Sequence, residues 1–170
     1  ERTNLNNRRF LIAIDVVRPL ISEILTMVNN AKVKEKKIEV LRKYDSPGLR
    51  MVMKASFDPK IVWRLPDGDV PFKKNDAPEG TQHTRLENEA RLLYNFVKGG
   101  NDKLPQHKCE NMFIQMLEGL QENEADVLIL AKDKKLHQKF KGLSKQVVQQ
   151  AFSWDEQFFD TTHKDYKKSA

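Results

Sequence analysis

Apolar residues recur at Phe10, Ile14, Val17, Ile21, Ile24 and Val28 in steps of four and three, the spacing of one face of a helix. Pro19 falls inside that run. Because proline lacks a backbone donor and disfavours helical geometry in the residue before it, the helix is expected to kink or restart there. The front portion, FLIAIDVV, equally fits a short strand. A second helix is expected in KVKEKKIEVLRKY and a third after DSPGL, where Ser46 suits the cap and Pro47 the first helical position, running to about Ser56. From Phe57 to Gln82 the period is lost, and the stretch holds four of the seven prolines and two of the seven glycines. It reads as a long loop or short hairpin whose Trp63, Leu65 and Phe72 argue that it packs onto something. Thr84 and Glu87 form a capping box opening RLENEARLLYNFVK, with Gly99 and Gly100 as the stop. Pro105 opens QHKCENMFIQMLEGL, ENEADVLILAKDKKL follows at once, and Ser144 caps KQVVQQAF. Ser153 and Glu156 make a capping box for a short terminal helix, WDEQFF.

The pattern echoes itself at a separation of 76 residues. Leu41, Tyr44, Leu49, Val52, Met53 and Ala55 fall opposite Leu117, Leu120, Ala125, Leu128, Ile129 and Ala131. Both copies read as helix, tight turn, helix; amphipathic helical hairpins resemble one another by default, so a plain bundle is the alternative. The expectation is an all-α single compact domain of six to eight helices over residues 1–170, with or without this pseudo-repeat. Residues 1–18 would be an N-terminal extension, 57–82 a long Pro-rich loop and 161–170 a polar tail.

Length and composition narrow the class. A chain of 170 residues suffices for one real core and is short for two. Its lone cysteine, Cys109, has no disulfide partner, and no Cys/His spacing suggests zinc, which fits a reducing cytosol. The most apolar stretch, FLIAIDVVRPLISEILTMV, is interrupted by Asp15, Arg18, Pro19 and Glu23, so no membrane span is expected. Of the net charge of +6, all lies in residues 1–56, with twelve Lys/Arg against six Asp/Glu; the rest balances. Such asymmetry favours an acidic partner for the front of the molecule, although solvated helices are often equally basic.

Catalytic and metal-binding signatures are missing. There is no phosphate-cradling glycine loop, no H-E-x-x-H and no G-x-S-x-G. Asp67 and Asp69 in PDGDV are foremost a turn, and His107 and Cys109 lie two apart, off a common helix face. No enzyme, cofactor, metal site or small-molecule site is expected. KDKKLHQKFKGLSK carries more: Lys132, Lys134, Lys135, Lys139 and Lys141 lie across a helix end, a Gly142 turn and a new helix N-terminus, suited to meeting phosphates. Cations in a last helical turn also complement the helix dipole, which is the plain structural reading. Arg8, Arg9, Lys36 and Lys37, with Lys32 and Lys34 nearby, form the second basic candidate. Trp63, Phe72 and Trp154 would anchor a protein partner wherever they stay exposed.

The set FDP…W…LP…P, FVKGGN, FIQMLEGL and KDKKL…KGL…V…AF, in that order, resembles an uncharacterised family of small proteins from tailed bacteriophages, notably myoviruses of marine cyanobacteria. The resemblance covers about residues 20–155 and leaves residues 1–18 outside. It implies a phage product acting in the host bacterial cytoplasm, or in the virion, and brings no catalytic residue with it. The leading expectation is a non-enzymatic accessory or regulatory protein engaging nucleic acid, or a host nucleic-acid-processing complex, through basic surfaces. The alternative is an assembly protein that docks onto other virion subunits through exposed aromatics and its N-terminal helix.

Overall fold

The first described helix begins only after Pro19. The computed structural model describes residues 18–75, 77–78 and 83–154; Arg18 to Leu20 are non-helical and α1 (Ile21–Asn30) begins directly after them. Glu23 accepts from the Leu20 amide at 3.0 Å, returning to the helix start. The expectations for residues 1–17 lie outside the described residues. α1 buries Ile21, Ile24, Leu25 and Val28.

α2 (Lys34–Lys43) is a surface helix with one buried residue, Leu41, so polar ties hold it. The Lys37 ammonium donates to the carbonyls of Val28, at 3.2 Å, and Ala31, at the C-terminus of α1. The Arg42 guanidinium donates to those of Gln150 and Ala151, at 2.9 and 3.0 Å. Both cations thereby satisfy orphan carbonyls at helix ends. α3 (Pro47–Phe57) opens as its sequence dictates, with Ser46 Oγ accepting from the Leu49 amide at 3.1 Å. It is the most enclosed helix, burying Leu49, Val52, Met53 and Ala55. Gly48 lies so close to the backbone oxygen of Glu87 that no Cβ fits there.

No helix occurs in the described residues between Phe57 and Leu86. The loop is nevertheless pinned: Trp63 bridges antiparallel to Val97, the Arg64 amide donates to Phe96 O at 2.7 Å, and the Lys98 amide donates to Val62 O at 2.8 Å. The Trp63 indole N–H donates to Ala55 O at 3.0 Å and its ring meets Phe113 edge-on.

The expected helix over RLENEARLLYNFVK is shorter and tighter. α4 (Leu86–Glu89) passes into a 3-10 run, Ala90–Phe96. The steeper rise of a 3-10 turn stretches the chain toward the extended geometry Val97 needs to meet Trp63. The expected capping box does not form. The Thr84 amide donates to Gly119 O at 2.8 Å, no side chain caps α4, and Glu87 pairs with Arg18 at 2.8 Å. The Leu86 amide finds its acceptor elsewhere, in Glu124 at 3.0 Å.

α5 (Gln106–Gly119) starts after Pro105, and α6 (Glu122–Lys132) follows. The single helix expected through Leu136 breaks after Lys132. Lys134 takes a left-handed φ of 59°, its amide donates to Ala131 O at 3.1 Å, and the Lys135 amide reaches Leu130 O at 2.8 Å. That is a Schellman end with lysine where glycine is usual. α7 (Leu136–Lys139) and α8 (Lys145–Phe152) complete the fold, α8 capped as expected by Ser144 Oγ accepting from the Val147 amide at 3.2 Å. Ser153, with φ 55°, ends α8; Glu156, its expected capping-box partner, and the helix expected over WDEQFF lie outside the described residues beyond Trp154.

A shift of 76 residues carries Pro47–Phe57 onto 123–133, within one residue of α6. Leu41 and Leu117, Leu49 and Ala125, Val52 and Leu128, and Ala55 and Ala131 are buried in both copies. The inner helices α3 and α6 pack together, while α2 packs between α1 and α8. Eight α-helices, and no strand among the described residues, form one all-α domain around a continuous apolar core.

Candidate nucleic-acid interface

The two halves of KDKKLHQKFKGLSK do different work. In the first half, the Lys132 side chain is fully buried and its ammonium donates to Pro66 O at 2.8 Å, Gly68 O at 3.1 Å and the Asp133 carboxylate. Asp133 in turn accepts from the Gly68 amide at 3.1 Å. Lys134 is half-buried, and its ammonium donates to Asp58 O at the end of α3. Burial lowers its pKa below the usual lysine value, partly offset by the nearby Asp58. Three consecutive residues therefore clasp the loop that follows α3. Lys132 and Lys134, expected to meet phosphates, instead face inward, because a buried ammonium needs acceptors, which the Pro66 and Gly68 carbonyls and the Asp133 carboxylate supply to Lys132 and the Asp58 carbonyl to Lys134. The far end of the loop is tied separately, the Lys73 amide to Glu118 at 3.2 Å and the Lys74 ammonium to Glu122 at 2.7 Å.

In the second half, Lys135, Lys139 and Lys141 are exposed. Lys139 pairs with Asp126 at 3.8 Å. Lys141 leads into Gly142, whose amide donates to the Asn29 side chain at 3.1 Å and whose α-carbon abuts the Lys37 ammonium, where a Cβ would collide with it. This approach joins the two basic segments, distant in sequence, at one end of the molecule. α2 and α8 lie side by side in the same direction there, Lys37 meeting Gly142 near their starts and Arg42 meeting Gln150 and Ala151 near their ends. Lys32, Lys34, Lys36, Lys141 and Lys145 are exposed at this shared end, with Lys37 turned inward. Within α2 this end also carries Glu35 and Glu39, the latter paired with Lys36 at 3.4 Å. A cation at a helix N-terminus opposes the dipole by about 0.3–1 kcal/mol. Lys34 and Lys145 both occupy first helical positions, so this end is charged against the preference of its own helices.

The remaining candidates are placed as follows. Arg8 and Arg9 lie outside the described residues. Trp63 and Trp154 are buried, and Phe72 is partly buried against the core, so none is an exposed anchor. The Trp154 ring stacks at a tilt on Phe152 and under the Lys54 ammonium. Glu124, Arg18 and Arg42 escaped the sequence reading. Glu124 is 1% exposed; its two carboxylate oxygens accept from the Ile21 and Leu86 amides, each at 3.0 Å, uniting the starts of α1, α4 and α6. Burial raises its pKa, opposed by the amides of Leu86 and Ile21, by Arg85 and by the Ser22 amide. A glutamate in a first helical turn looks like ordinary dipole compensation, so the sequence carries no sign of this role. Among the described residues no group of three or more His, Cys, Asp or Glu is placed to hold a metal, and no helix is long and apolar enough to cross a membrane.

A family model described as a family of unknown function, DUF6433, matches residues 24–138. The chain belongs to DUF6433. No curated protein and no solved structure matches it. The stretch matched to DUF6433 contains Glu124, the Lys132–Lys134 clasp and the α2 side of the basic end. Lys139, Lys141, Lys145 and α8 lie beyond it.

Proposed function

We propose that this protein is a non-enzymatic accessory or regulatory factor that binds nucleic acid by its phosphates, through the lysine-rich end where α2 and α8 begin. The observation that carries the reading is the seating of Gly142 on Asn29 and Lys37, which gathers Lys32, Lys34, Lys36, Lys141 and Lys145 into one field. Ammonium groups beside two helix starts suit a polyanion, since each phosphate neutralised releases counterions and the helix dipoles add to the attraction. The resemblance of its motifs to proteins of tailed bacteriophages supports a phage origin and action in the host cytoplasm, which its lone, buried cysteine also suits. The assembly alternative relied on exposed aromatics and the N-terminal helix; Trp63 and Trp154 are buried, which favours the phosphate-binding reading, and residues 1–17 of that segment lie outside the described residues.

Fluorescence anisotropy with single- and double-stranded DNA and RNA across a salt series tests the reading. Lys34, Lys36, Lys141 and Lys145 changed together to Gln should lower the log–log salt slope by about 0.7–0.9 for each phosphate left without its lysine. Absence of wild-type binding at low salt, or an unchanged slope in the variant, rejects it.

A further inference from the structure

Beside the lysine-rich end runs a groove of about 400 Å³ between α1 and the α6–α7 side, lined by Ser22, Thr26, Met27, Asn123, Lys139 and Phe140. From the geometry we infer that this groove receives an unstacked nucleobase, making the protein a binder of single strands in preference to duplexes. The inference rests on the phosphate-binding reading above and adds to it the part of the ligand that is not phosphate.

Continuity places the groove on the path of a bound strand. Phe140 and Lys139 line it, and the next two residues are Lys141 and Gly142, the centre of the basic field. Its walls suit a base better than a phosphate. Met27, 36% exposed, offers a soft thioether surface on which a flat heterocycle can lie, and Phe140, 4% exposed, adds to the floor of the groove. Asn123 is exposed and carries both a donor and an acceptor, the pairing a base edge presents. The Thr26 hydroxyl donates to Ser22 O at 2.8 Å and keeps its lone pairs as acceptors. Glu23 also borders the groove, its carboxylate accepting from the Leu20 amide. An anion there repels a phosphate while accepting from an exocyclic amino group. Lys139 stands at the edge, paired with Asp126, where a backbone phosphate can compete for it. The volume falls within the range of small-ligand sites and exceeds what one base requires. In a duplex the bases are paired and stacked, so only a single strand can fill the groove.

The test compares a labelled single strand of about a dozen nucleotides with an abasic strand of the same length, which keeps every phosphate and lacks every base. Wild type should bind the base-bearing strand about tenfold or more tightly than the abasic one, and Met27→Ala with Asn123→Ala should abolish that preference while leaving abasic binding unchanged. Both side chains lie at the surface, and circular dichroism of the double variant verifies that it folds. Equal binding of the two strands overturns the groove assignment and leaves the lysine reading standing. A preference that survives the double variant also overturns it, because the bases are then read elsewhere. If neither strand binds, both readings fall.

Discussion

Replacing Lys132 by Met separates the clasp from a phosphate grip. Methionine nearly matches the volume of the lysine stem, so packing survives and only the ammonium is removed. What remains is the Asp133 carboxylate, 8% exposed, with the carbonyls of Pro66 and Gly68 facing no donor from residue 132. Removing one partner of a buried ion pair costs about 3–5 kcal/mol, which for a domain of this size lowers Tm by roughly 6–20 °C. Lys135→Met is the control: that side chain is exposed, and its removal should fall within about 0.5 kcal/mol of wild type. Thermal melts followed by circular dichroism measure the stability of both, and anisotropy on a single strand well below Tm measures their binding. The expected result is a large fall in Tm for Lys132→Met with polyanion affinity unchanged. A Tm within about 2 °C of wild type, or a drop in affinity without a drop in Tm, refutes the clasp.

Glu124→Gln leaves one acceptor oxygen for two amides, and the unpaired amide costs about 1–3 kcal/mol. Because the folded pKa of Glu124 is raised, its stabilising contribution is complete below the unfolded value and is lost as pH rises through the folded one. The deficit of the Gln variant, read from urea midpoints, should therefore narrow as pH rises across that interval; a deficit that widens contradicts the assignment. Gly48→Ala drives a Cβ into the backbone oxygen of Glu87, so a cost of about 1–3 kcal/mol or more is expected, and an unchanged urea midpoint is the contrary outcome. At Lys134, Ala should be less stable than Gly by about 1 kcal/mol, since both lack the tie to Asp58 O and only Ala retains the left-handed strain. Equal melts for the two variants would contradict that argument.

The helices that carry their own punctuation were legible from sequence. Ser46 with Pro47, Pro105 and Ser144 each announce a start, and the structure places helices directly after all three. Thr84 with Glu87 made an equally good local signal and failed, because Glu124, 38 residues beyond Leu86, takes the amide at that helix start. The break at Lys134 was hidden for a similar reason. A left-handed lysine is stabilised by a carbonyl at Asp58, 76 residues earlier, and nothing local marks it. The same limit governs the basic candidates. Charge density along KDKKLHQKFKGLSK was plain, but burial assigns Lys132 and Lys134 to the loop and leaves Lys135 and Lys141 exposed. That Lys37 meets Gly142 depends on α2 and α8 running side by side, which pattern alone does not fix.

Glu124 also bears on the order in which the chain acquires its shape. Its oxygens take amides 103 and 38 residues earlier, so α1 and α4 emerge from the ribosome with those amides still bound to water. Closing such long loops is entropically costly and slows folding. The loop after α3 waits on the same event, since Gly68 and Asp133 stand 65 residues apart. Helix α6 thus works as a late-arriving keystone: chains halted before it should have their front half translated but unfixed, and its delivery commits the N-terminal helices and the Pro-rich loop together.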